Sequence, residues 1–322
     1  MQTLILSRSD LSTVGVTERL AELGVEPVVL DTDRFPRDLR LILGTDGVLE
    51  IREGAHTTRL DRLRSIWYRR TRFVPDLPPD ASSALKAGVA DELRAFLLGA
   101  LGRHETLVTD PKWRLDHAGR KPRQLSLAAA CGLDVPATLC SSDADAVRAW
   151  AAALGRPVVT KVLTSFAIRA SGDPQVVFTT PLSPQDLAEL DGLELCPGTF
   201  QERLDAAVEY RVTVVGRQLF TAALEQGPEA GEGVDWRREA KALARHWRRD
   251  TLPEPAAEGL LRLMDRLGLS YGAADFIRTR DGRVVFLELN PAGEYLWLDP
   301  LHEGAVSVAI AELLAGWPPP RA

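Results

Sequence analysis

The stretch Arg283-Val284-Val285-Phe286-Leu287-Glu288-Leu289-Asn290-Pro291 is an apolar strand that ends in acidic and amide side chains. Alternation along a strand sends side chains two residues apart to the same face, so Glu288 and Asn290 are expected to point the same way. Pro291 has no backbone N–H to donate to a sheet and therefore ends the strand. The stretch predicts a carboxylate and an amide oxygen side by side at the end of one strand.

A second strand precedes this one in the chain. Tyr271-Gly272-Ala273-Ala274-Asp275-Phe276-Ile277 has the apolar character of a strand, and Asp281-Gly282 is a turn signal that joins the two into a hairpin. Asp275 is then expected to face Glu288 and Asn290 across the hairpin. Three hard oxygen donors with no histidine or thiol beside them suit Mg²⁺ that holds nucleotide phosphates. The alternative is a polar strand end that only caps a loop.

Composition sets broad limits on the fold and on the partners. The chain has 322 residues, 45% hydrophobic and 26% charged, which is typical of a folded soluble protein with two or three lobes. Its net charge of −6 lacks the basic surplus of a nucleic-acid-binding domain. The first residues do not form a signal peptide, and no stretch approaches the ~20 apolar residues that span a bilayer. Cys131, Cys140 and Cys196 have no zinc-site spacing and indicate reduced thiols in the cytoplasm.

The order of the expected elements divides the chain into three units. Residues 1–111 begin with a parallel β-α-β unit, continue with a hairpin and another strand, and end with a long amphipathic helix. Residues 112–200 hold two helices and a set of antiparallel strands. Residues 201–322 begin within a strand at Thr199–Leu204 and hold the hairpin above, with a helix on each side of it. The chain is therefore predicted to be an α/β protein with α+β lobes.

Two lysines are candidates for contact with an anion. Lys161 closes the apolar strand Arg156-Pro157-Val158-Val159-Thr160-Lys161, where a buried ammonium group must find an anion or lose much of its hydration free energy. Lys121 opens a helix in the segment Lys121-Pro122-Arg123-Gln124-Leu125, and a cation is favourable at a helix N-terminus when both bind one anion. The alternatives are an edge lysine that reaches solvent and a solvated basic patch.

Two consecutive strands supply further candidates. The backbone groups of Gln201, Glu202, Arg203 and Leu204, on a strand that leaves the second unit, are candidates to bind an adenine edge. The next strand, Glu209-Tyr210-Arg211-Val212, places a carboxylate and a guanidinium group on one face. The planar guanidinium group of Arg211 suits phosphate or carboxylate.

Taken in order, these residues resemble the ATP-grasp superfamily of carboxylate–amine and carboxylate–hydroxyl ligases. The ordered match consists of Lys121, Lys161, Gln201-Glu202, Glu209-x-Arg211, Asp275 and Glu288-x-Asn290. The resemblance narrows to the graspetide synthetases, the microviridin-type maturases of ribosomal peptides. It rests on Ile66-Trp67-Tyr68-Arg69-Arg70, Asp110-Pro111, Gln201-Glu202, the run from Glu209 to Gly216, Val234-Asp235-Trp236-Arg237 and the run from Glu288 to Gly293.

Two segments depart from the pattern of these relatives. The loop after Lys161 is Val162-Leu163-Thr164-Ser165-Phe166, which is not rich in glycine. Arg120-Lys121 stands where relatives often have Asn-Lys. These departures put the coverage of the phosphates and the assignment of Lys121 in question.

The resemblance implies an ATP-grasp fold preceded by an N-terminal β-α-β pre-ATP-grasp domain, and it implies a ligase. ATP would phosphorylate a side-chain carboxylate of a ribosomal precursor peptide, and a Ser/Thr hydroxyl or a Lys amine would then displace phosphate to close a macrocyclic ester or amide. The implied cofactors are ATP and two Mg²⁺ ions, with Asp275, Glu288 and Asn290 as metal ligands. The implied nucleotide-binding residues are Lys121, Lys161, Gln201, Glu202, Arg203, Leu204 and Glu209, and the implied catalytic residues are Lys161, Arg211 and Arg237.

The implied partner is a precursor peptide with a leader and an acidic core, without nucleic acid or membrane, and the enzyme is expected to be a cytoplasmic homodimer. An acidic core needs local positive charge on a chain of net charge −6. The candidates, which could equally be ordinary surface charge, are Arg69, Arg70, Arg72, Arg211 and Arg237. The glycine-rich segment Glu225–Asp235, with Trp236 as an apolar anchor, is the candidate to become ordered when the leader binds. Its alternative is a solvated loop with Trp236 packed in the core.

Two other functions fit the same residues. One is a glutamate-adding or other carboxylate–amine ligase of the same fold, against which the Asp235-Trp236-Arg237 element argues. The other is an ATP-binding regulatory module without catalysis, against which the complete set of metal ligands argues. Turnover of ATP without any peptide acceptor would favour the regulatory module.

Overall fold

The fold is described by a computed structural model of the chain. It describes residues 1–8, 13–69, 71, 73–102, 104, 109–163, 167–168, 175–176, 179–226 and 246–316. No helix within these ranges is both long and apolar enough to cross a membrane.

A small parallel sheet begins the chain. Its central strand β1 (Gln2–Ser7) lies between β2 (Glu26–Asp31) and β6 (Leu63–Tyr68), and α1 (Val14–Glu22) connects β1 to β2. Every residue of β1 is buried, as expected for the middle strand of a parallel sheet with both faces covered. The predicted β-α-β unit is confirmed.

An antiparallel sheet and a long helix complete the first part of the chain. The sheet consists of β3 (Leu39–Leu43), β4 (Leu49–Glu53) and β5 (His56–Arg59), and the helix is α2 (Ser83–Gly102). The predicted hairpin corresponds to β3 and β4, while β5 was not predicted. The predicted long helix is confirmed, and Ser82 caps its start by accepting a hydrogen bond from the Leu85 N–H at 3.1 Å.

The central sheet is antiparallel, with the strand order β11-β8-β12-β7. Its strands are β7 (Thr138–Ser141), β8 (Val158–Lys161), β11 (Thr180–Leu182) and β12 (Gly198–Glu202). Its helices are α5 (Ala144–Leu154) and α6 (Pro184–Ala188), and β9 (Ala167–Ile168) pairs with β10 (Gln175–Val176) beside it. All of β12 belongs to this sheet, although the predicted boundary at 200 cuts through it. The three-unit division stays a proposal.

The largest sheet is antiparallel and has the order β15-β14-β13-β16-β17. Its strands are β13 (Ala206–Val215), β14 (Gln218–Glu225), β15 (Arg248–Asp250), β16 (Tyr271–Thr279) and β17 (Val284–Asn290). The remaining helices are α3 (Lys112–Ala118), α4 (Lys121–Ala130), α7 (Glu254–Leu267) and α8 (Ala305–Ala315). Helix α4 packs against β17 and α7, so the helix that carries Lys121 lies beside the strand that carries Glu288.

A shared core joins the two ends of the chain. Helix α8 packs on α1 and β6, and buried residues of the first sheet, such as Ile5 and Trp67, cluster with Tyr271 and Ile310. The first and last parts of the chain are therefore held together by one apolar core.

Asp110 follows α2 in the chain and connects this part of the chain to the hairpin of β16 and β17. Its side chain is buried, and its two carboxylate oxygens accept hydrogen bonds from the Ser270 N–H at 2.8 Å and the Tyr271 N–H at 3.0 Å. Burial raises the pKa of Asp110 to about 6, although the two N–H groups act in the opposite direction.

This shift predicts a specific pH dependence of stability. Because the folded pKa lies above the unfolded one, the contribution to stability is complete below the unfolded pKa and is lost as the pH rises through about 6. We expect the unfolding free energy of the wild type, measured relative to Asp110→Asn, to fall by about 2 kcal/mol between pH 4.5 and 7.5. Urea unfolding at several pH values checks this, and a difference that does not vary with pH would contradict it.

Candidate active site

One face of the largest sheet carries a row of charged side chains. Asp275 of β16 lies opposite Glu288 of β17 on one side and opposite Arg211 of β13 on the other. Arg211 Nη1 is 2.8 Å from Asp275 Oδ1, and Lys121 Nζ is 2.9 Å from Glu288 Oε2. Two adjacent carboxylates are thus flanked by a cation on each side.

A β-bulge decides which side chains of β17 face this row. The hairpin turn is closed by a hydrogen bond of 2.9 Å from the Thr279 N–H to the Arg283 carbonyl group. Further from the turn, Phe276 lies opposite Phe286. The register then shifts so that Asp275 lies opposite Glu288, which leaves Leu287 as the extra residue.

The bulge reverses the alternation at the point where the site requires it. In a regular strand, residues 286 and 288 would share a face. Here Phe286 packs edge-on against Phe276 in the core, with ring centroids 5.4 Å apart, while Glu288 lies on the opposite face beside Asp275. The predicted opposition of Asp275 and Glu288 is confirmed. The turn is one residue longer than the Asp281-Gly282 signal suggested, and the bulge compensates for that residue.

Asn290 completes the candidate metal site. It lies two residues beyond Glu288, opposite Ala273, and its Oδ1 accepts a hydrogen bond from the Ala292 N–H at 3.3 Å. Two carboxylates and an amide oxygen are hard donors that fit Mg²⁺. Among the described residues, no group of three or more His, Cys, Asp or Glu side chains is placed to hold a metal ion. The candidate site therefore needs the amide as its third protein donor.

Gln124 anchors the end of β17 to helix α4. Its Nε2 donates to the carbonyl oxygens of Leu289 and Ala118, each at 2.7 Å, and its Oε1 accepts from the Leu289 N–H at 2.7 Å. Leu289 lies between Glu288 and Asn290, so this contact sets the backbone of both candidate ligands. Gln124 also lies one turn after Lys121, which places the lysine over Glu288.

Arg211 is buried between the sheet and the loop that follows β17. Its Nη2 donates to the Glu294 carbonyl oxygen at 3.2 Å, in addition to its ion pair with Asp275. Burial opposes the charged form, but the Asp275 carboxylate outweighs it and raises the pKa of Arg211. Arg211 therefore remains a cation in the site. Glu209, two residues earlier on the same face, accepts a hydrogen bond from Gln226 Nε2 at 2.9 Å.

The remaining predicted nucleotide residues lie on the central sheet or just after it. Lys161 ends β8 opposite Thr199, on a different sheet from Asp275 and Glu288. Gln201 and Glu202 end β12, and Arg203 and Leu204 lie in the connection to β13. The structure therefore places the predicted adenine segment at the junction between the two sheets.

The side chains of this junction bind the protein itself. Glu202 accepts hydrogen bonds from Arg156 Nη1 at 2.8 Å and from Arg283 Nη2 at 3.2 Å. Burial alone would raise the pKa of Glu202, but these two arginines outweigh it and lower the pKa.

Two backbone amides of the junction are also engaged. The N–H groups of Glu202 and Arg203 donate to the carbonyl oxygens of Ala137 and Pro157. The predicted adenine contacts would therefore use backbone groups of this segment other than these two N–H groups.

One of the arginines predicted to hold an acidic peptide is buried within the protein. Arg69 is 1% exposed and pairs with Glu294 at 2.7 Å, so its prediction as a contact for an acidic core is wrong. Arg70, Arg72, Arg237, Trp236 and residues 227–235 lie outside the described residues.

Three positioning residues, Gln124, Glu294 and Asp110, received no functional role from the sequence. Each is polar and forms hydrogen bonds to the backbone of the hairpin or of its following loop. Gln124 lies among the polar residues at the start of α4, and nothing in its own segment identifies the strand that it binds.

Known proteins share this fold and this arrangement of elements. Residues 2–114 match the model of the MvdD pre-ATP grasp domain. The chain is similar to the macrocyclase MdnC from Microcystis aeruginosa MRC, solved with its precursor peptide MdnA, with 35% identity over 98% of this chain and 100% of that one and a TM-score of 0.86. The chain belongs to the graspetide synthetases, the ATP-grasp macrocyclases of ribosomal peptides.

Two other synthetases of this kind are similar over nearly their whole length. A RiPP-associated ATP-grasp ligase from Chryseobacterium gregarium, solved with ADP and a leader and core peptide, has 28% identity, a TM-score of 0.89 and coverage of 99% of this chain and 97% of that one. The macrocyclase MdnB from Microcystis aeruginosa MRC has 30% identity, a TM-score of 0.78 and coverage of 97% and 98%. No curated protein matches the chain. The predicted ATP-grasp fold and the graspetide synthetase family are confirmed.

The Gln124 anchor generates a test. Gln124→Met keeps the volume of the side chain but leaves the buried N–H and C=O groups of Leu289 without their partner. Each unsatisfied group is expected to lower the unfolding free energy by about 1–3 kcal/mol. We expect a lower unfolding free energy and a loss of ATP turnover in the folded protein. The control Gln185→Met removes an exposed glutamine that contacts Glu189 and should change stability by less than about 0.5 kcal/mol. Equal ATP turnover in both variants would contradict the role of Gln124 in holding the end of β17 in place.

Proposed function

We propose that this graspetide synthetase uses ATP to join Asp or Glu side chains of a ribosomal precursor peptide to Ser/Thr hydroxyls or Lys amines. The observation that carries the proposal is the row Lys121, Glu288, Asp275 and Arg211, in which two carboxylates lie between two cations. A divalent cation suits the carboxylates, and phosphate oxygens suit the cations at either end. The row is therefore complementary to a metal-bound polyphosphate.

The reaction is proposed to have two steps. A peptide carboxylate oxygen attacks the γ-phosphorus of ATP, the bond between that phosphorus and the bridging oxygen breaks, and ADP leaves. A hydroxyl oxygen or an amine nitrogen then attacks the carbon of the acyl phosphate and loses its proton, and inorganic phosphate leaves. The product is a macrocyclic ester or amide.

The roles of the protein groups follow from the charge that develops in the first step. Arg211, buried and kept charged by Asp275, can stabilise the transferred phosphoryl group, and Lys161 is proposed to do the same from the central sheet. Asp275, Glu288 and Asn290 would hold Mg²⁺, which when bound neutralises charge on the phosphates. A second ion is part of the proposal. Lys121 at the start of α4 and Glu209 on β13 would contact the nucleotide, and the carbonyl groups from Gln201 to Leu204 would contact its adenine.

The precursor peptide is the proposed partner. MdnC was solved with the precursor MdnA, and the Chryseobacterium enzyme was solved with a leader and a core peptide, which supports a peptide substrate of the same kind. An acidic core, a homodimer and a cytoplasmic location remain predictions from the sequence. Light scattering of the purified protein would test the dimer.

A single substitution tests the metal site. Glu288→Gln removes one proposed ligand charge and the partner of Lys121 but keeps the shape of the side chain. We expect loss of turnover by at least about 100-fold with an unchanged fold, because a ligand of the catalytic ion acts directly in the transition state. Glu258→Gln, on the exposed face of α7 beside Arg262, is the matched control and should retain activity. Wild-type rates of peptide modification by Glu288→Gln would remove Glu288 from the site.

A second experiment tests the peptide partner. Leader peptide supplied in trans should raise the rate of cyclisation of a leaderless core peptide, because a bound leader orders the enzyme for catalysis. Mass spectrometry counts the water molecules lost from the core, one for each ring. Equal cyclisation with and without the leader would contradict coupling between leader binding and catalysis.

A further inference from the structure

Arg69 is a fully buried arginine at the end of β6, in the N-terminal part of the chain. Its guanidinium group lies 5.1 Å from the centre of the Tyr295 ring and 5.8 Å from the centre of the Trp67 ring. Its side chain is 0% exposed, and its Nε is buried without a hydrogen-bond partner. Burial of a guanidinium group is costly, so the contacts of its two other nitrogens must offset that cost.

Those contacts all go to the loop that follows the candidate metal ligand Asn290. Arg69 Nη1 donates to the carbonyl oxygens of Ala292 at 3.3 Å and Gly293 at 3.2 Å, and Nη2 donates to Glu294 Oε1 at 2.7 Å. A guanidinium group can make these contacts together because its donors form a planar fork. An arginine from one end of the sequence thus holds a loop from the other.

The same loop is held from its other side by the largest sheet. Arg211 Nη2 donates to the Glu294 carbonyl oxygen at 3.2 Å, and the Tyr271 hydroxyl group donates to the Gly293 carbonyl oxygen at 2.7 Å. A Cβ added at Gly293 would lie 2.4 Å from the Ala273 Cβ, so only glycine allows the loop to come this close to β16. Ala273 in turn lies opposite Asn290.

The loop bonds directly to the side chain of Asn290. The Ala292 N–H donates to Asn290 Oδ1, and the Gly293 N–H donates to the Asn290 carbonyl oxygen at 3.1 Å. Arg69 binds the carbonyl groups of these same two residues. Its position therefore sets the direction in which the Asn290 oxygen points.

We infer that Arg69 is a positioning residue of the metal site, through which the N-terminal domain holds Asn290 in place for catalysis. This inference rests on the proposed function, because it requires Asn290 to be a metal ligand. It assigns the N-terminal domain a direct part in the phosphoryl-transfer site in addition to any part in peptide binding. Groups that orient metal ligands typically contribute about 10- to 100-fold to metal affinity or activity.

The test measures how Mg²⁺ concentration controls ADP binding in the full-length protein. Calorimetric titration of ADP at a series of Mg²⁺ concentrations gives the concentration that is needed for half-maximal affinity, without any turnover. We expect Arg69→Met to raise this concentration about 10-fold or more, and Arg69→Lys to be intermediate because an ammonium group cannot bind both carbonyl groups and Glu294 in one plane. Glu294→Gln keeps one side-chain acceptor oxygen but removes the charge that pairs with Arg69, and it should give a smaller rise. It replaces Arg69→Met in the test if that variant does not fold.

The matched control is Arg64→Met. Arg64 lies on β6, shortly before Arg69 in the chain, and also donates to a backbone carbonyl group of the C-terminal region, that of Ala315, but this contact is not part of the loop after Asn290. Its loss should lower thermal stability and leave the Mg²⁺ dependence of ADP binding unchanged.

The outcomes separate the inference from the proposed function. Normal Mg²⁺ dependence in both Arg69→Met and Glu294→Gln, with a responsive wild type, would overturn the positioning role and leave the function standing. A wild type that binds ADP with no dependence on Mg²⁺ would instead contradict the proposed function. A shift in the Arg64→Met control as large as that in Arg69→Met would show only a general loss of structure and would also overturn the inference.

Discussion

Asp275 and Glu288 lie directly opposite each other on neighbouring strands, where like charges destabilise a sheet. The structure tolerates this pair because Arg211 and Lys121 each bind one of the two carboxylates. Arg211 comes from the adjacent strand, and Lys121 comes from a helix more than 150 residues away in sequence from Glu288. This balance of charge therefore depends on the packing of α4 on β17 and on the register of β13 with β16.

The end of β17 is consequently the most constrained part of the fold. Gln124 binds both backbone groups of Leu289, and the loop beyond Asn290 is held between Arg69 and Arg211. These side chains come from three separate parts of the chain. The core that α8 shares with the first sheet fixes the N-terminal part of the chain in the position from which Arg69 contacts this loop.

Charged contacts form a junction between the central sheet and the largest sheet. Glu202 at the end of β12 binds Arg283 at the start of β17, and Arg283 also binds Asp134 at 2.9 Å. The Arg283 side chain is shared between Glu202 and Asp134, so the junction links the end of β12 to the beginning of β17. The proposed adenine segment lies at this junction, which would let nucleotide binding act on both sheets.

Much of the architecture and part of the site could be predicted from the sequence. Local patterns were sufficient for the β-α-β unit, for most helices and for the pairing of Asp275 with Glu288, because alternation and turn residues act over short distances in the chain. Other features depend on contacts between distant residues and could not be predicted from local patterns. The bulge at Leu287 depends on how Phe276 and Phe286 pack in the core, and nothing in the strand itself requires it.

Arg69 is the clearest example of a residue whose role could not be predicted from the sequence. Its sequence context, between Trp67 and the polar residues after β6, is equally compatible with an exposed arginine that binds an acidic peptide and with a buried one. Its true environment is made by Glu294 and Tyr295, which lie more than 220 residues later in the chain. The sequence gives the type of each side chain, but the burial and the partners of that side chain depend on contacts between distant segments. Only the folded chain brings such segments together.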